Sequence, residues 1–132
     1  LTRLFEEQKW LRSEIFQQLM TRAMIGRKSG DEAVKLISSL ISKRPELFAD
    51  ESRRIKEFTN DVLNLTPQRA TDVLSAFQPV MNLKQELKDH VLIILRKALF
   101  YNDVPSRIIA IHCLIEMFNV QSSGQNDDNE VF

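Results

Sequence analysis

Three glycines in 132 residues, two of which (Gly26 and Gly30) flank a single turn, leave long stretches of this chain without a backbone-permissive residue. Such stretches favour helices, since glycine is what tight turns most often require. The apolar residues supply the matching period. Leu4, Leu11, Ile15, Leu19 and Ala23 lie at helical spacings and predict a first helix to about Ile25, stopped by Gly26. Ser29 and Glu32 have the S-x-x-E spacing of a capping box, and Val34, Ile37, Leu40 and Ile41 form the stripe of a second helix. Arg44 and Pro45 turn the chain. Ile55, Phe58, Val62 and Leu65 then mark a third helix, after which Thr66 and Pro67 stand as N-cap and first residue of a fourth.

The fourth helix uses Ala70, Val73, Leu74 and Phe77 and is expected to kink or end at Pro79. Asn82 and Gln85 are placed to cap a fifth, with Leu87, Val91, Ile94, Leu95 and Ala98 inward. Asn102 and Asp103 turn the chain again. Pro105 opens a sixth helix, for which Ile108, Ile111, Ile115 and Phe118 are expected to face the core. From Gln121 the period is lost, so residues 121–132 read as a polar, disordered tail behind a helical segment at 1–120. The start at Leu1 and this polar run read as the ends of an excised segment. About six helices joined by short connections imply antiparallel neighbours, in either a closed bundle or stacked pairs of the HEAT or armadillo kind. No strict repeat in the sequence decides between the two.

Composition narrows the function. The chain carries 18 basic and 18 acidic residues, and Asp127, Asp128 and Glu130 lie in the tail, so residues 1–120 hold a basic surplus of only three. A dedicated nucleic-acid-binding domain is usually far more basic. Cys113 is alone, which rules out an internal disulfide and fits a reducing compartment. No apolar run is long enough to span a bilayer, and the charges at Arg3, Glu6 and Glu7 do not suit a signal peptide.

No catalytic constellation stands out, and neither a cofactor nor a small-molecule substrate is implied. His90 and His112 fall in no metal spacing, and His112 with Glu116 reads better as a surface pair than as two ligands. Cys113 and His112 point about 100° apart on a helix, too far for a nucleophile dyad. Cys113 reads instead as a small core residue. Lys43, Arg44, Arg53, Arg54 and Lys56 form the densest basic stretch, but with no aromatic among them they read better as a solvated face than as a phosphate contact.

The fifth helix is different. Its inward stripe centres near Val91 and Ala98, and Lys97 lies roughly 110° from that centre. Along the same outer side run Glu86, His90, Ile93, Phe100 and Tyr101, joined through Lys97 by steps of three or four. Apolar groups aimed away from the core need a cover, either a second layer of the same protein or a partner.

The run His90-Val91-Leu92-Ile93-Ile94-Leu95-Arg96-Lys97-Ala98-Leu99-Phe100-Tyr101-Asn102 resembles the Leu-Arg-Lys-Ala-Met-Phe segment around the acceptor lysine of the Fanconi anaemia group I family. Leu74-Ser75-Ala76-Phe77-Gln78-Pro79-Val80 and Arg12-Ser13-Glu14-Ile15 resemble further family segments in the same order, so the likeness runs through residues 1–120. The resemblance implies an α-solenoid segment of a nuclear scaffold that pairs with a paralogous subunit and clamps DNA in interstrand-crosslink repair. It implies that Lys97 receives a single ubiquitin from a conjugating enzyme and ligase, near the interface with that subunit. The paralogue has a related acceptor helix, but the Arg-Lys-Ala-Leu-Phe wording favours group I. One departure concerns control: the family commonly carries Ser-Gln kinase sites soon after this region, and this chain has no Ser-Gln or Thr-Gln dipeptide.

Only a neutral amine attacks a thioester, and an ordinary lysine is almost wholly protonated at neutral pH. No carboxylate is spaced to help Lys97, since Glu86 lies about three turns back, roughly 16 Å along the axis. Activation would fall to the conjugating enzyme, leaving this chain as substrate and scaffold. The rival reading is a generic HEAT-like adaptor that binds a peptide in a groove and is not modified.

Overall fold

The computed structural model describes residues 9–25 and 28–129, with side chains as far as Phe118. Among the described residues there are seven α-helices and no strand: α1 (Lys9–Ala23), α2 (Lys28–Lys43), α3 (Pro45–Ala49), α4 (Ser52–Thr59), α5 (Pro67–Leu83), α6 (Gln85–Ala98) and α7 (Val104–Asn129), with a 3-10 turn at Val62–Asn64. The predicted third helix is divided. Pro45 starts α3, and the chain starts again at Ser52, where Ser13 Oγ donates to Glu51 at 2.5 Å and Arg54 pairs with the same carboxylate at 3.3 Å.

The cross-helix bonds reveal how the helices stack. Ser13 meets Glu51 and Gln17 meets Arg54; Lys56 meets Glu86 and Asn60 meets His90. In each set the second bond lies about one turn further along both helices, so α1, α4 and α6 run parallel in one layer. In a second layer α2 and α5 begin side by side at Asp31 and Arg69 and line a common groove as far as Ser38 and Ala76, while Ser75 of α5 donates to Glu116 of α7 at 3.2 Å. Chain separations across these bonds are 38 and 37, then 30 and 30, in the first layer, and 38 and 41 in the second. A repeat that the letters hide is therefore present in space. Three helical hairpins (α1 with α2, α3 and α4 with α5, α6 with α7) form an open stack, the solenoid arrangement rather than the closed bundle.

Helix α5 is the middle of this stack. It packs against α2, α3, α6 and α7, and nine of its seventeen residues are buried, which puts it under cover around most of its circumference. Thr66 caps it as expected, accepting from the Arg69 amide at 3.2 Å, with Pro67 at the first position. The helix does not end at Pro79 but runs on to Leu83. Proline there removes the amide that would bond to the Ser75 carbonyl, at a cost of about 3 kcal/mol. Burial of Val80 and Met81 just beyond it offsets that loss, since each fully buried apolar side chain contributes roughly 1.5–3 kcal/mol.

The expected inward stripes of the second, third, fourth and fifth predicted helices lie in the core, apart from Leu65, half-buried against its edge, and Ile94, half-buried away from it. In α1 the buried centre is Phe16, Met20 and Ala23, with Leu11, Ile15 and Leu19 half-buried beside it; Leu4 lies outside the described residues. In α7 the expectation is inverted. Ile109, Ala110, Cys113 and Met117 are buried, whereas Ile108, Ile111, Ile115 and Phe118 are exposed. This helix is apolar on two opposite sides, so spacing alone fits either face. Small Ala110 and Cys113 are the side that lets α7 approach α5.

Three capping expectations also differ. Ser29 is already inside α2 rather than ahead of it, and Lys84 rather than Asn82 precedes α6, with no side-chain cap. Asn82 instead accepts from Gln78 at 3.1 Å, and Gln85 donates to Asp89 at 2.9 Å. The backbone of α7 is helical as far as Asn129. No proline occurs from Gln121 onward, and only Gly124 strongly lowers helix propensity there.

Two positions give direct tests of this packing. A Cβ on Gly30 would collide with the Ile25 carbonyl oxygen and come within 2.6 Å of Arg69 Nη1, a side chain itself buried and bonded to Asp31 at 2.5 Å. Gly→Ala inside a helix ordinarily gains about 1 kcal/mol. Here overlap with fixed backbone outweighs it, and Gly30→Ala is expected to destabilise by roughly 1–3 kcal/mol, read as a lower midpoint in urea. The second position is Cys113, whose thiol is pushed up from its ordinary 9.0 to about 12 by burial and, secondarily, by Glu116. Native protein at pH 8 should leave it unmodified by a disulfide reagent that reacts readily in urea. The fold favours the neutral thiol, so this contribution to stability is intact below pH 9 and is lost as pH climbs towards 12.

A candidate modification site on α6

Helix α6 buries Leu87, Val91, Leu95 and Ala98 against the core and carries Glu86 in its first turn and Arg96 and Lys97 in its last, charges that suit the helix dipole at each end. Its outer side is held differently at its two ends. At the start Glu86 pairs with Lys56, which holds the Glu86 carboxyl below the usual range, and His90 bonds Asn60 at 3.1 Å. Both partners belong to α4 or the residue that ends it. Because α4 runs parallel to α6 and stops at Thr59, nothing of α4 lies beside the later turns.

Ile93 and Lys97 therefore sit about 4.5 and 10.5 Å beyond His90 along the axis, past the end of the neighbouring helix. Lys97 is exposed, Ile93 is 51% exposed, and Phe100 is 86% exposed. Tyr101 is exposed too. Their backbone is nonetheless pinned. The Phe100 amide donates to the Lys97 carbonyl at 3.1 Å and the Tyr101 amide to Ala98 at 3.2 Å, while Arg107 donates to the Tyr101 carbonyl at 3.1 Å. Asp103 closes the turn by accepting from the Ser106 amide and hydroxyl, and these bonds hold its carboxyl below the usual range.

Of the five residues expected on one open face, the structure thus separates two from three. Glu86 and His90 are engaged with α4, and the open patch is Ile93, Phe100 and Tyr101 around Lys97. Sequence spacing could not find this division, because it depends on where α4 ends.

The remaining candidates have ordinary structural roles. Glu116 accepts from Ser75, His112 is exposed, and Cys113 is buried, so the three converge on no site. No group of three metal-binding side chains occurs among the described residues, and no helix among them is long and apolar enough to cross a membrane. In the basic stretch Arg44 pairs with Glu46, Arg53 with Glu57 at 3.7 Å, Arg54 with Glu51, and Lys56 with Glu86. These four charges are matched by carboxylates, and the fifth member of the stretch, Lys43, is exposed. The surface groove between α2 and α5 is lined by Asp31, Lys35, Ser38, Asp72 and Ser75 together with Val34 and Ala76.

Comparison with known proteins agrees with the stack. The family model described as FANCI solenoid 2 matches residues 1–115. The Fanconi anemia group I protein of Gallus gallus is 23% identical over 112 residues, and the Fanconi anemia group I protein homolog of Mus musculus is 26% identical over 113. Each match covers 84% of this chain and 8% of the relative, so the chain spans about a twelfth of the length of the relatives it matches. The open stack of helical hairpins and the match along nearly all of it make this chain a member of the Fanconi anemia group I family, in its second solenoid.

Proposed function

We propose that this segment is a non-catalytic scaffold that presents Lys97 for attachment of a single ubiquitin and offers the adjoining apolar patch to a paralogous partner subunit. The observation that carries the reading is the placement of an exposed lysine on the uncovered end of α6, beside Ile93, Phe100 and Tyr101. An amine there is open to a bulky thioester-bearing enzyme. The three apolar side chains give such an enzyme, or the partner subunit, desolvated area to bind.

Attachment joins the Lys97 Nζ to the terminal carbonyl of ubiquitin, releasing the enzyme's thiol and a proton. Among the described residues no carboxylate pairs with Lys97, so the conjugating machinery is left to accept that proton. In this reading the nuclear complex as a whole engages DNA. Arg44, Arg53, Arg54 and Lys56 are ion-paired within the segment, which makes that stretch a weak candidate for the DNA contact. A generic peptide-binding adaptor would be favoured by Ile93 and Phe100 lying inside the fold, and both are exposed.

Reconstituted conjugation on the partnered protein is the test. Lys97→Arg keeps the charge and removes the nucleophile, and it is expected to abolish the singly modified product while leaving thermal unfolding unchanged. Undiminished single modification of the variant would remove the assignment.

A further inference from the structure

Opposite the buried side of α7, the residues Val104, Ile108, Ile111, Ile115 and Phe118 follow one another at steps of four, three, four and three. They fall within about 80° of arc. All five are between 41% and 53% exposed, and no charge interrupts the stripe. A helix apolar on two opposite faces is suited to lie between two neighbours. Helix α5 is one of them. Positions 108, 111, 115 and 118 also repeat every seven residues, the spacing at which side chains mesh with a second helix lying nearly alongside.

The stack itself indicates the second neighbour. In the layer α2, α5, α7, each helix packs on the one before, and α5 shows what an inner member looks like, covered by α2 on one side and α7 on the other. The outer stripe of α7 corresponds to the side of α5 that meets α7. What fits it is another helix of the same layer. Area decides where that helix comes from. The stripe exposes on the order of 400 Å² of apolar surface. A stable pair of separate molecules needs about 800 Å² from each partner. A helix tethered in the same polypeptide is spared that requirement by its high effective concentration. The relatives, of which this chain covers 8%, have ample length to supply one.

We propose that Val104, Ile108, Ile111, Ile115 and Phe118 form a stacking face for a further helix of the same polypeptide, laid as the next member of the α2, α5, α7 layer. The proposal does not depend on the role of Lys97. Its test is maleimide labelling of the complete polypeptide carrying Ile111→Cys, Ile115→Cys or, as an exposed neighbour off the stripe, His112→Cys, read at each position by mass spectrometry. Because all three side chains are exposed here, the substitutions should leave folding intact. Labelling at 111 and 115 at least about tenfold slower than at 112, at every protein concentration, is the expected result. Equal rates at the three positions would overturn the proposal by showing the stripe bare. Protection that vanishes on dilution would overturn it as well, since the cover would then come from another molecule.

Discussion

Four phenylalanines set in edge-to-face contact hold this stack together. Phe16 of α1 meets Phe48 of α3 at 5.0 Å and Phe77 of α5 at 6.1 Å, and Phe77 meets Phe58 of α4 at 5.9 Å, with ring planes 75–82° apart. Each such pair is worth about 0.5–1.5 kcal/mol beyond the area it buries. Their greater importance is positional. One chain of rings fixes three helices, α1, α3 and α4, around α5, and the rest of the fold follows from where α5 is held. The short α4 owes its place to Phe58 and Ile55, and the point at which α4 ends determines how much of α6 is covered.

That dependence explains how a helix with a well-packed inner face can leave a lysine open among apolar groups. Glu86 and His90 satisfy the first half of the outer side through Lys56 and Asn60. The second half has no counterpart because its neighbour is only eight residues long. Any cover for Ile93, Phe100 and Tyr101 would therefore come from beyond the hairpins described here, and the proposed partner subunit and conjugating enzyme are both surfaces of that kind. The stripe on α7 raises the same question on a different side of the stack, with an answer that the layer's own geometry suggests.

Much of the fold could be read from the sequence. Thr66-Pro67 announced the start of α5, and Val34, Ile37, Leu40 and Ile41 announced the face of α2, because caps and one-sided periods are local properties of a helix. What could not be read depended on neighbours. The sixth predicted helix has two apolar faces, and the larger residues, Ile108, Ile111, Ile115 and Phe118, drew the inward assignment that α5 gives to Ala110 and Cys113. Pro79 reads as a kink or an end because propensity says so, and burial of Val80 and Met81 lets the helix run on to Leu83. The stacking period was invisible because it varies from 30 to 41 residues and is carried by unlike pairs such as Asp31 with Arg69 and Ser75 with Glu116. At the candidate site, the outward position of Lys97 was legible from the helix alone, whereas the loss of Glu86 and His90 to α4 was not.

Hydroxyl-radical footprinting of the unpartnered segment, read residue by residue along α6, tests the central claim most directly. The account predicts rapid oxidation of Phe100, Tyr101 and Ile93 and strong protection of Leu87, Val91 and Leu95 on the opposite side. Protection of Phe100 and Ile93 equal to that of Leu95 would mean that the segment covers this end of α6 by itself, and the reading of an open lysine in an uncovered apolar patch would fail.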